Sequence, residues 1–332
     1  MIRVSRPPEP AEVRAALCKA FPGTGMTELE RARAYYSQKP APERAFEFSR
    51  YKERVVRRAL DELFHRKCAY CESKYSAVEA RDVEHYRPKG GVKGLSHPGY
   101  WWLAGAWSNL LPSCPGCNRL GYRVMYEPGM SAKDFEDACQ RDPDTLTGKG
   151  RSFPTSTNRW AMSEDDDLRI EDPLLIDPCE HNPADHLEFI FDFDRRMYIW
   201  DARPVQSFVR ARHRDGQDDC RGETSIRLYG LNRLELVRQR GEHLMFHLQP
   251  LCKPVVDAWT TFSRTSDGSP SEEELKKHCE GYIKSLNELR EPSRTYAGMV
   301  RAFILEFARD LDRLTIDLFR ERPLLRFSDG SP

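Results

Sequence analysis

Apolar residues at helical spacing mark the first part of the chain as α-helical. Over residues 46–64 the apolar positions recur every three to five residues, which predicts one long amphipathic helix. Two shorter helices are predicted before it, over residues 11–20 and 27–36. The second of these begins with Thr27 and Glu30 at the spacing of a capping box, in which each residue satisfies a free backbone N–H of the other.

The same helical spacing returns at about Pro204 and continues almost to the end of the chain. Within this part, Ser271 and Glu274 repeat the spacing of a capping box and mark the start of another helix. The predicted helices cover residues 225–229, 231–246, 254–262, 271–289 and 294–319.

Between these helical parts the pattern shortens to that of strands and turns. Residues 78–86 alternate between polar and apolar positions, which predicts a first strand, and residues 109–111 open or precede a second. A further short strand is predicted at residues 174–178. A hairpin is predicted to join residues 187–192 to residues 197–200.

Four cysteines bracket this central part in two Cys-x-x-Cys pairs. Cys68 and Cys71 open it, and Cys114 and Cys117 close it. Two residues between cysteines let a turn place both sulfurs on one ion, so four thiolates can complete a tetrahedral zinc site. Redox-active Cys-x-x-Cys pairs are the alternative. A zinc ion would tie the two ends of the segment together and leave the residues between them as candidates for chemistry.

Ten cysteines raise the question of a secreted, disulfide-bonded protein. No hydrophobic signal segment opens the chain, and no apolar run approaches the roughly 18 residues that a membrane helix needs. The six cysteines outside the pairs are scattered without a pairing pattern. We therefore expect a cytoplasmic protein with no membrane association, since disulfides are rare in a reducing cytosol.

Charge is balanced over the whole chain and biased locally. The 332 residues contain 52 Lys and Arg against 52 Asp and Glu, so no global basic signal points to nucleic acid. Residues 65–123 carry nine basic and four acidic side chains, a surplus of five. A positive field of that kind suits phosphate binding. The aromatic block at residues 100–103 with Trp107 could stack on bases, although packing against the flanking helices is the favoured interpretation.

The central motifs resemble those of the HNH endonuclease family, whose core is a ββα-metal unit. Within that family, three segments are similar to segments of the PtuB subunits of Septu-type and retron-associated antiphage systems. These segments are CAYCE, VEHYRPKG and YWWLAGAWSNLLPSC. The similarity covers about residues 45–240. The positions that match the family pattern are Cys68/Cys71, Glu84-His85 with Pro88, Asn109-Leu110, and Cys114/Cys117 followed by Asn118.

The resemblance implies a role for each of these residues. His85 would be the general base, Glu84 and Asn118 would bind one catalytic Mg²⁺ or Mn²⁺, and the four cysteines would hold a structural zinc. A backbone carbonyl would orient the imidazole, plausibly that of Asn109, whose side chain would hold the loop. The residues expected to contact nucleic acid are Arg87, Lys89, Arg119 and Lys149.

The chain departs from the family pattern after Asn118. Relatives place a Lys, a Gly and a Phe-Pro pair within a few residues, whereas here the matching residues 149–154 come about thirty residues later. We therefore predict an insertion at about residues 122–148, in or after the metal-binding helix. Its residues 124–148 carry six acids and two bases. The insertion could gate the site or bind a partner, but a tolerated surface loop is the favoured interpretation.

The expected architecture is α+β, with a zinc-stabilised ββα-metal core in a mainly helical protein. The predicted domains are a helical lead-in (1–64), an HNH nuclease domain (65–200) and a C-terminal helical region (201–332). The resemblance implies an endonuclease that cleaves nucleic acid, with DNA favoured, and that works with a PtuA-like ATPase subunit in antiphage defence. An RNA-cleaving or tRNA-cleaving nuclease and a non-catalytic zinc-stabilised binding or scaffold module remain alternatives.

Overall fold

The computed structural model describes residues 1–40, 44–75, 81–192, 206–264 and 272–318. Helices alternate there with small two-stranded sheets, so the fold is mixed α and β. The chain divides into two compact units built from interleaved segments. The first unit comprises Met1–Met125, Asp142–Leu187 and Arg210–Asn232, and the second comprises Tyr126–Arg141, Glu188–Val209 and Arg233–Pro332.

The helices of the described residues are numbered in chain order. They are α1 (Ala11–Leu17), α2 (Glu28–Tyr36), α3 (Arg54–Leu63), α4 (Pro115–Asn118), α5 (Ala132–Gln140), α6 (Cys220–Tyr229), α7 (Leu234–His243), α8 (Gln249–Arg264), α9 (Glu272–Leu289) and α10 (Ala297–Leu318). A π-helix, Leu244–Leu248, joins α7 to α8. None of the helices described is long and apolar enough to cross a membrane.

The strands are short and pair two by two. They are β1 (Asp82–His85), β2 (Leu110–Ser113), β3 (Gly121–Arg123), β4 (Thr145–Thr147), β5 (Leu187–Asp192), β6 (Gln206–Ala211), β7 (His213–Arg214) and β8 (Gln217–Asp218). The pairs are β1 with β2, β3 with β4, β5 with β6 and β7 with β8.

The long helix predicted over residues 46–64 is wrong in its first third, because only α3 is α-helical and a 3-10 turn, Arg50–Lys52, precedes it. The physical reason is the buried carboxylate of Glu28. It accepts hydrogen bonds from the backbone N–H groups of Ser49 and Arg50, at 2.7 and 3.1 Å. These donors are thereby satisfied outside a helix, and the chain turns before α3 begins.

Strands β1 and β2 form the central antiparallel ribbon of the first unit. Asp82 lies opposite Ser113 and His85 lies opposite Leu110. The second strand begins at Leu110, as predicted, while residues 78–80 of the predicted first strand lie outside the described residues. Behind the ribbon, the buried residues of α1, α2 and α3 form one hydrophobic cluster with Trp107 and Leu110. The aromatic Trp107 thus packs in the core, as the favoured interpretation expected.

The predicted insertion is a folded excursion from the first unit. Strands β3 and β4 pair in antiparallel fashion at its base, with Tyr122 opposite Leu146. This pairing brings the end of the insertion back to α4, where the insertion begins. There Lys149 N donates to Cys117 O at 2.9 Å, and Gly150 N donates to Asn118 O. Residues about thirty positions apart in the sequence therefore become neighbours.

Two further predictions are changed by the structure, and a third falls partly outside the described residues. Residues 174–178 form no strand, because the backbone of Ile176 bonds instead to the side chains of Ser225 and Tyr229. The region after Pro204 is not helical at once, since β6, β7 and β8 precede α6. Strand β5 pairs with β6, whereas its predicted partner at residues 197–200 and the predicted boundary at 200/201 lie outside the described residues.

Candidate functional site

Four cysteines converge at one end of the β1–β2 ribbon. The sulfur atoms of Cys68, Cys71, Cys114 and Cys117 all lie within 4.8 Å of one another. Cys71 Sγ and Cys114 Sγ are 3.7 Å apart. A tetrahedral zinc ion with Zn–S bonds of about 2.3 Å places its sulfurs about 3.8 Å apart, so this spacing fits zinc. The group could therefore hold a zinc ion, as predicted.

Two local structures bring these sulfurs together. The first pair lies on a tight turn, where Cys68 N donates to Ser73 O at 3.0 Å. The second pair flanks the start of α4, whose first residue is proline and whose Cys117 N donates to Cys114 O. Neighbouring thiols, foremost Cys114, raise the pKa of Cys117 well above its usual value. Four crowded thiols of this kind cannot all ionise without a cation among them, which is the condition that a zinc ion satisfies.

His85 lies at the other end of β1, with 5% of its surface exposed. Its Nε2 atom is 3.0 Å from the carbonyl oxygen of Ala104. Because a carbonyl can only accept, Nε2 carries the proton and Nδ1 keeps its lone pair. Burial, followed by the charge of Lys89, lowers the pKa of His85 well below its usual value. The imidazole is therefore neutral and is a base at neutral pH.

The sequence suggested that the backbone carbonyl of Asn109 orients His85. In the structure, the carbonyl of Ala104 does so. The carbonyl of Asn109 instead accepts a hydrogen bond from Tyr86 N at 2.9 Å. The Asn109 side chain holds the loop: its Oδ1 accepts from Arg87 N at 2.7 Å, and its Nδ2 donates to Arg87 O and Leu103 O. Its predicted loop-holding role agrees with these bonds.

Glu84 directly precedes His85 on β1, and both side chains are buried and feel the charges of the same two lysines, Lys89 and Lys149. Its Oε1 lies 2.5 Å from Lys149 Nζ, and both side chains are buried. The same ammonium group donates to the carbonyl of His85 at 2.9 Å. Burial raises the pKa of Glu84, and the charge of Lys149 opposes that shift. The ammonium group of Lys149 is thus buried and bound within the protein. The prediction that Lys149 contacts nucleic acid at the surface does not fit this position.

Asn118 is held by a carboxylate that the sequence analysis did not single out. Its Nδ2 donates to Asp82 Oδ2 at 3.0 Å, and Arg119 contacts the same carboxylate through two nitrogens at 2.7 and 2.9 Å. Asp82 is two residues before Glu84, so both side chains leave the same face of β1. With its nitrogen engaged, the amide of Asn118 keeps Oδ1 as an oxygen that can bind a cation.

The other predicted contacts to nucleic acid differ in their surroundings. Arg87 Nε donates to the fully buried carboxylate of Glu171 at 2.7 Å, so its charge is already compensated. Lys89 Nζ lies 3.5 Å from His85 Nδ1 and 4.8 Å above the ring of Tyr51. Arg119 is well exposed, with 61% of its side chain accessible. Lys89, beside the candidate base, is therefore the predicted contact best placed for phosphate, whereas Arg119 is exposed but already paired with Asp82.

The donor set around Glu84 fits a hard divalent ion in its chemistry. A carboxylate and an amide oxygen are the ligand types that Mg²⁺ and Mn²⁺ prefer. Among the described residues, the four cysteines are the only group of three or more His, Cys, Asp or Glu placed to share a metal. An ion at Glu84 would therefore take Asn118 as its second protein ligand and need waters or phosphate oxygens for the rest.

Sequence reasoning missed two partners of this site for different reasons. Asp82 could have been found, because alternation along a strand places it beside Glu84. The carbonyl of Ala104 could not, because every residue carries one and only the fold selects which carbonyl meets the imidazole.

Comparison with known proteins finds a relative that matches nearly the full length of the chain. The chain is 28% identical over 330 residues to the Septu protein PtuB of Bacillus mycoides (strain KBAB4), which covers 95% of this chain and 93% of the relative. The predicted similarity to PtuB is thereby confirmed. No family model matches the chain. No solved structure matches it either.

Proposed function

We propose that this chain is a metal-dependent endonuclease of the HNH type that hydrolyses phosphodiester bonds, with DNA as the favoured substrate. The observation that carries the proposal is the state of His85. Its Nε2–H is fixed on the carbonyl of Ala104, which leaves the lone pair of Nδ1 to accept a proton. A histidine held in this way has the properties of a general base.

In the proposed reaction, His85 Nδ1 takes a proton from the attacking water. The resulting imidazolium is stabilised by Ala104 O, which accepts the hydrogen bond from Nε2–H at 3.0 Å. Lys89 Nζ lies 3.5 Å from Nδ1, so its positive charge would neutralise a negative group bound next to the base. A phosphate oxygen is such a group, and Lys89 would release Nδ1 as it turns towards that oxygen.

Glu84 and Asn118 would hold the catalytic Mg²⁺ or Mn²⁺. Such an ion supplies neutralisation of charge on the phosphate and on the leaving oxygen. Asp82 orients the amide of Asn118, and Lys149 orients the carboxylate of Glu84. The cysteine group would hold zinc and fix α4, which carries Asn118, against β1, which carries Glu84 and His85.

The biological setting that we propose is antiphage defence together with an ATPase subunit. The similarity to a Septu protein over 95% of the chain supports this setting. Both the defence role and a PtuA-like ATPase partner follow from that similarity rather than from the geometry of the site. The same site could cleave RNA, since none of the proposed contacts reads the sugar.

A non-catalytic binding or scaffold module is the second candidate, and one observation favours it. Glu84 and Asn118 both have partners within the protein, Lys149 and Asp82, so neither needs a metal ion to satisfy it. Against this candidate stands the fixed and neutral imidazole of His85, for which a purely structural zinc module has no use.

Cleavage of plasmid DNA and of tRNA with Mg²⁺ or Mn²⁺ tests the proposal, with and without a PtuA-like ATPase subunit. The variant His85→Ala should lose at least about 100-fold in rate, because general-base catalysis contributes about that much or more. His97→Ala is the matched control, since His97 is also buried and its Nε2 also lies 2.8 Å from a carbonyl, that of Ala161.

The His97 variant should cleave at the rate of the wild type, provided that circular dichroism shows both variants folded. Equal rates for the wild type and the His85 variant would refute the proposed chemistry and favour the binding module. Activity on tRNA alone would move the substrate from DNA to RNA and leave the roles of the residues unchanged.

A further inference from the structure

Three exposed apolar side chains lie together at the base of the insertion. Leu120, Tyr122 and Leu146 are 49%, 61% and 46% exposed, which makes them three of the seven large hydrophobic residues exposed in the described part of the chain. Tyr122 and Leu146 are directly opposed across β3 and β4. Leu120 lies beside Gly150, whose added Cβ would be 3.0 Å from Leu120 Cγ. We call these three side chains the ribbon face.

The other face of the same ribbon is anchored in the first unit. Thr147 is 2% exposed, and a Cβ at Gly230 would be 2.9 Å from its hydroxyl oxygen. Gly148 N donates to Leu228 O at 3.0 Å. The anchoring of β4 therefore depends on Thr147 and its neighbours, whereas Tyr122 and Leu146 point away from it. Folding does not account for an exposed tyrosine and leucine at these positions.

Basic side chains predominate around the ribbon face, although the exposed Asp144 directly precedes β4 and Asp82 pairs with Arg119. Residues 119–123 and 145–151 contain four basic side chains and no acid. Lys149 is buried, which leaves three guanidinium groups at or near the surface, those of Arg119, Arg123 and Arg151. Apolar side chains flanked mainly by arginine suit a polyanion that also carries flat apolar groups, as a nucleic-acid strand does.

The ribbon face is continuous with the candidate catalytic site through both of its strands. Asn118 and Arg119 lie three and two residues before β3, and both bind Asp82. Lys149 follows β4 after one residue, and its ammonium group contacts Glu84. A strand bound on the ribbon face would therefore run directly beside the proposed cleavage site.

We propose that the ribbon face binds unpaired bases of the substrate next to the bond that is cut. Tyr122 stacks on a base, Leu146 and Leu120 extend the apolar surface, and the arginines bind the adjacent phosphates. An exposed tyrosine ring can stack only on a base whose face is free, so the site selects single-stranded or locally opened nucleic acid over an intact duplex. This inference deepens the proposed nuclease function and rests on it.

Binding without metal separates this inference from catalysis. Fluorescence anisotropy in EDTA would compare a labelled single-stranded oligonucleotide with its duplex, using the full chain. Stacking contributes about 1–3 kcal/mol per base, so Tyr122→Ser should weaken single-strand binding by about 5- to 100-fold and duplex binding much less. Tyr122→Phe keeps the ring and should bind like the wild type.

Met162→Ser provides a matched control, because Met162 is 49% exposed and lies in the first unit outside the ribbon. It should leave both affinities unchanged. Arg123→Gln should lower the salt dependence of single-strand binding by about one phosphate contact.

Single-strand binding by Tyr122→Ser at the affinity of the wild type would overturn the inference. Loss of ATPase binding by this variant, with oligonucleotide binding intact, would likewise overturn it and make the ribbon face a protein interface. A wild-type chain that binds single strands through Tyr122 but never cleaves with Mn²⁺ would refute the nuclease proposal and support the ribbon as a binding surface.

Discussion

Two buried histidines of the first unit illustrate how a hydrogen-bond partner decides what a side chain can do. His85 and His97 both place Nε2 on a backbone carbonyl, at 3.0 and 2.8 Å. Nδ1 of His97 accepts the N–H of Gly99, so both of its nitrogens are used in the loop. Nδ1 of His85 instead lies 3.5 Å from the ammonium nitrogen of Lys89. For that reason His85 is the candidate base and His97 is its control.

Asp177 is a buried carboxyl whose ionisation opposes folding. It is 2% exposed, and burial raises its pKa to about 6 from a usual 3.8. A raised pKa in the folded state means that folding favours the protonated form. The stabilisation is complete below the unfolded pKa and is lost as the pH rises through about 6.

We therefore predict that Asp177→Asn stabilises the protein above neutral pH. Asparagine keeps an oxygen for the N–H of Cys179, which Asp177 Oδ1 accepts at 2.8 Å, and carries no charge. The gain in the free energy of unfolding should be about 1–3 kcal/mol at pH 8 and near zero at pH 4, as one pKa unit corresponds to about 1.4 kcal/mol. Urea denaturation at both pH values measures it.

Asp165→Asn serves as the control, since Asp165 is exposed. It should show no such gain at pH 8. If the two variants gain equally, the effect is one of net charge and the burial of Asp177 is not its cause.

Among the elements, the β3–β4 ribbon has the largest consequence for the site. By closing the insertion, it returns Lys149 to α4 and lets its side chain reach Glu84. Removal of one partner of a buried ion pair lowers the stability of a protein far more than removal of one partner of an exposed pair. The reason is that the remaining buried charge stays uncompensated. The base of the insertion, formed by β3 and β4, therefore connects the insertion to the site through Lys149 and Glu84.

We predict that Lys149→Met destabilises the protein by about 3–5 kcal/mol, because it leaves the carboxylate of Glu84 buried and unpaired. Guanidinium denaturation measures the loss. Adding Glu84→Gln to the same chain should restore part of it, since the second change removes the unpaired charge.

Lys133→Met is a control within the same insertion. Lys133 forms an ion pair with Asp137 at 2.7 Å, but the two side chains are 83% and 62% exposed. Such pairs contribute about 0–1 kcal/mol, so the variant should be nearly neutral. A comparable loss in both lysine variants would show that the buried pair has no special role.

For the molecule as a whole, the cysteine group links parts of the first unit that are far apart in the sequence. It joins the turn at Cys68 to α4, and Ala69 N donates to Pro112 O of β2 at 2.9 Å beside it. Zinc bound at four thiolates would add its binding free energy to folding, since the unfolded chain offers no preformed site.

We predict one zinc ion per chain and a strong dependence of stability on it. Removal by a chelator, or Cys117→Ser, should lower the melting temperature by about 10 °C or more, because each kcal/mol shifts a domain of this size by about 2–4 °C. Metal analysis and calorimetry measure the two quantities. Cys220→Ser, at an exposed cysteine outside the group, should retain both zinc and stability.

A chain that retains its melting temperature after complete loss of zinc would contradict this prediction. In that case the four thiols would be held together by packing alone. The Cys-x-x-Cys pairs would then have to be considered as redox centres.

Short-range signals allowed much of the site and many element boundaries to be predicted. The two Cys-x-x-Cys spacings predicted the four-sulfur group, and the capping box at Thr27 and Glu30 predicted the start of α2. The capping box and the turn within each Cys-x-x-Cys pair form between residues a few positions apart, and the four ligands that zinc needs require the two distant pairs to meet.

Other features depended on contacts between residues far apart in the chain. Glu28 ended the long helix predicted across residue 50, Ala104 rather than Asn109 met the imidazole of His85, and Lys149 turned inward to Glu84. Each partner lies at least about 19 positions away and has many equivalents in the sequence. Local propensity cannot choose among them, because the choice is made by the packing of the core and by the need of every buried polar group for a partner.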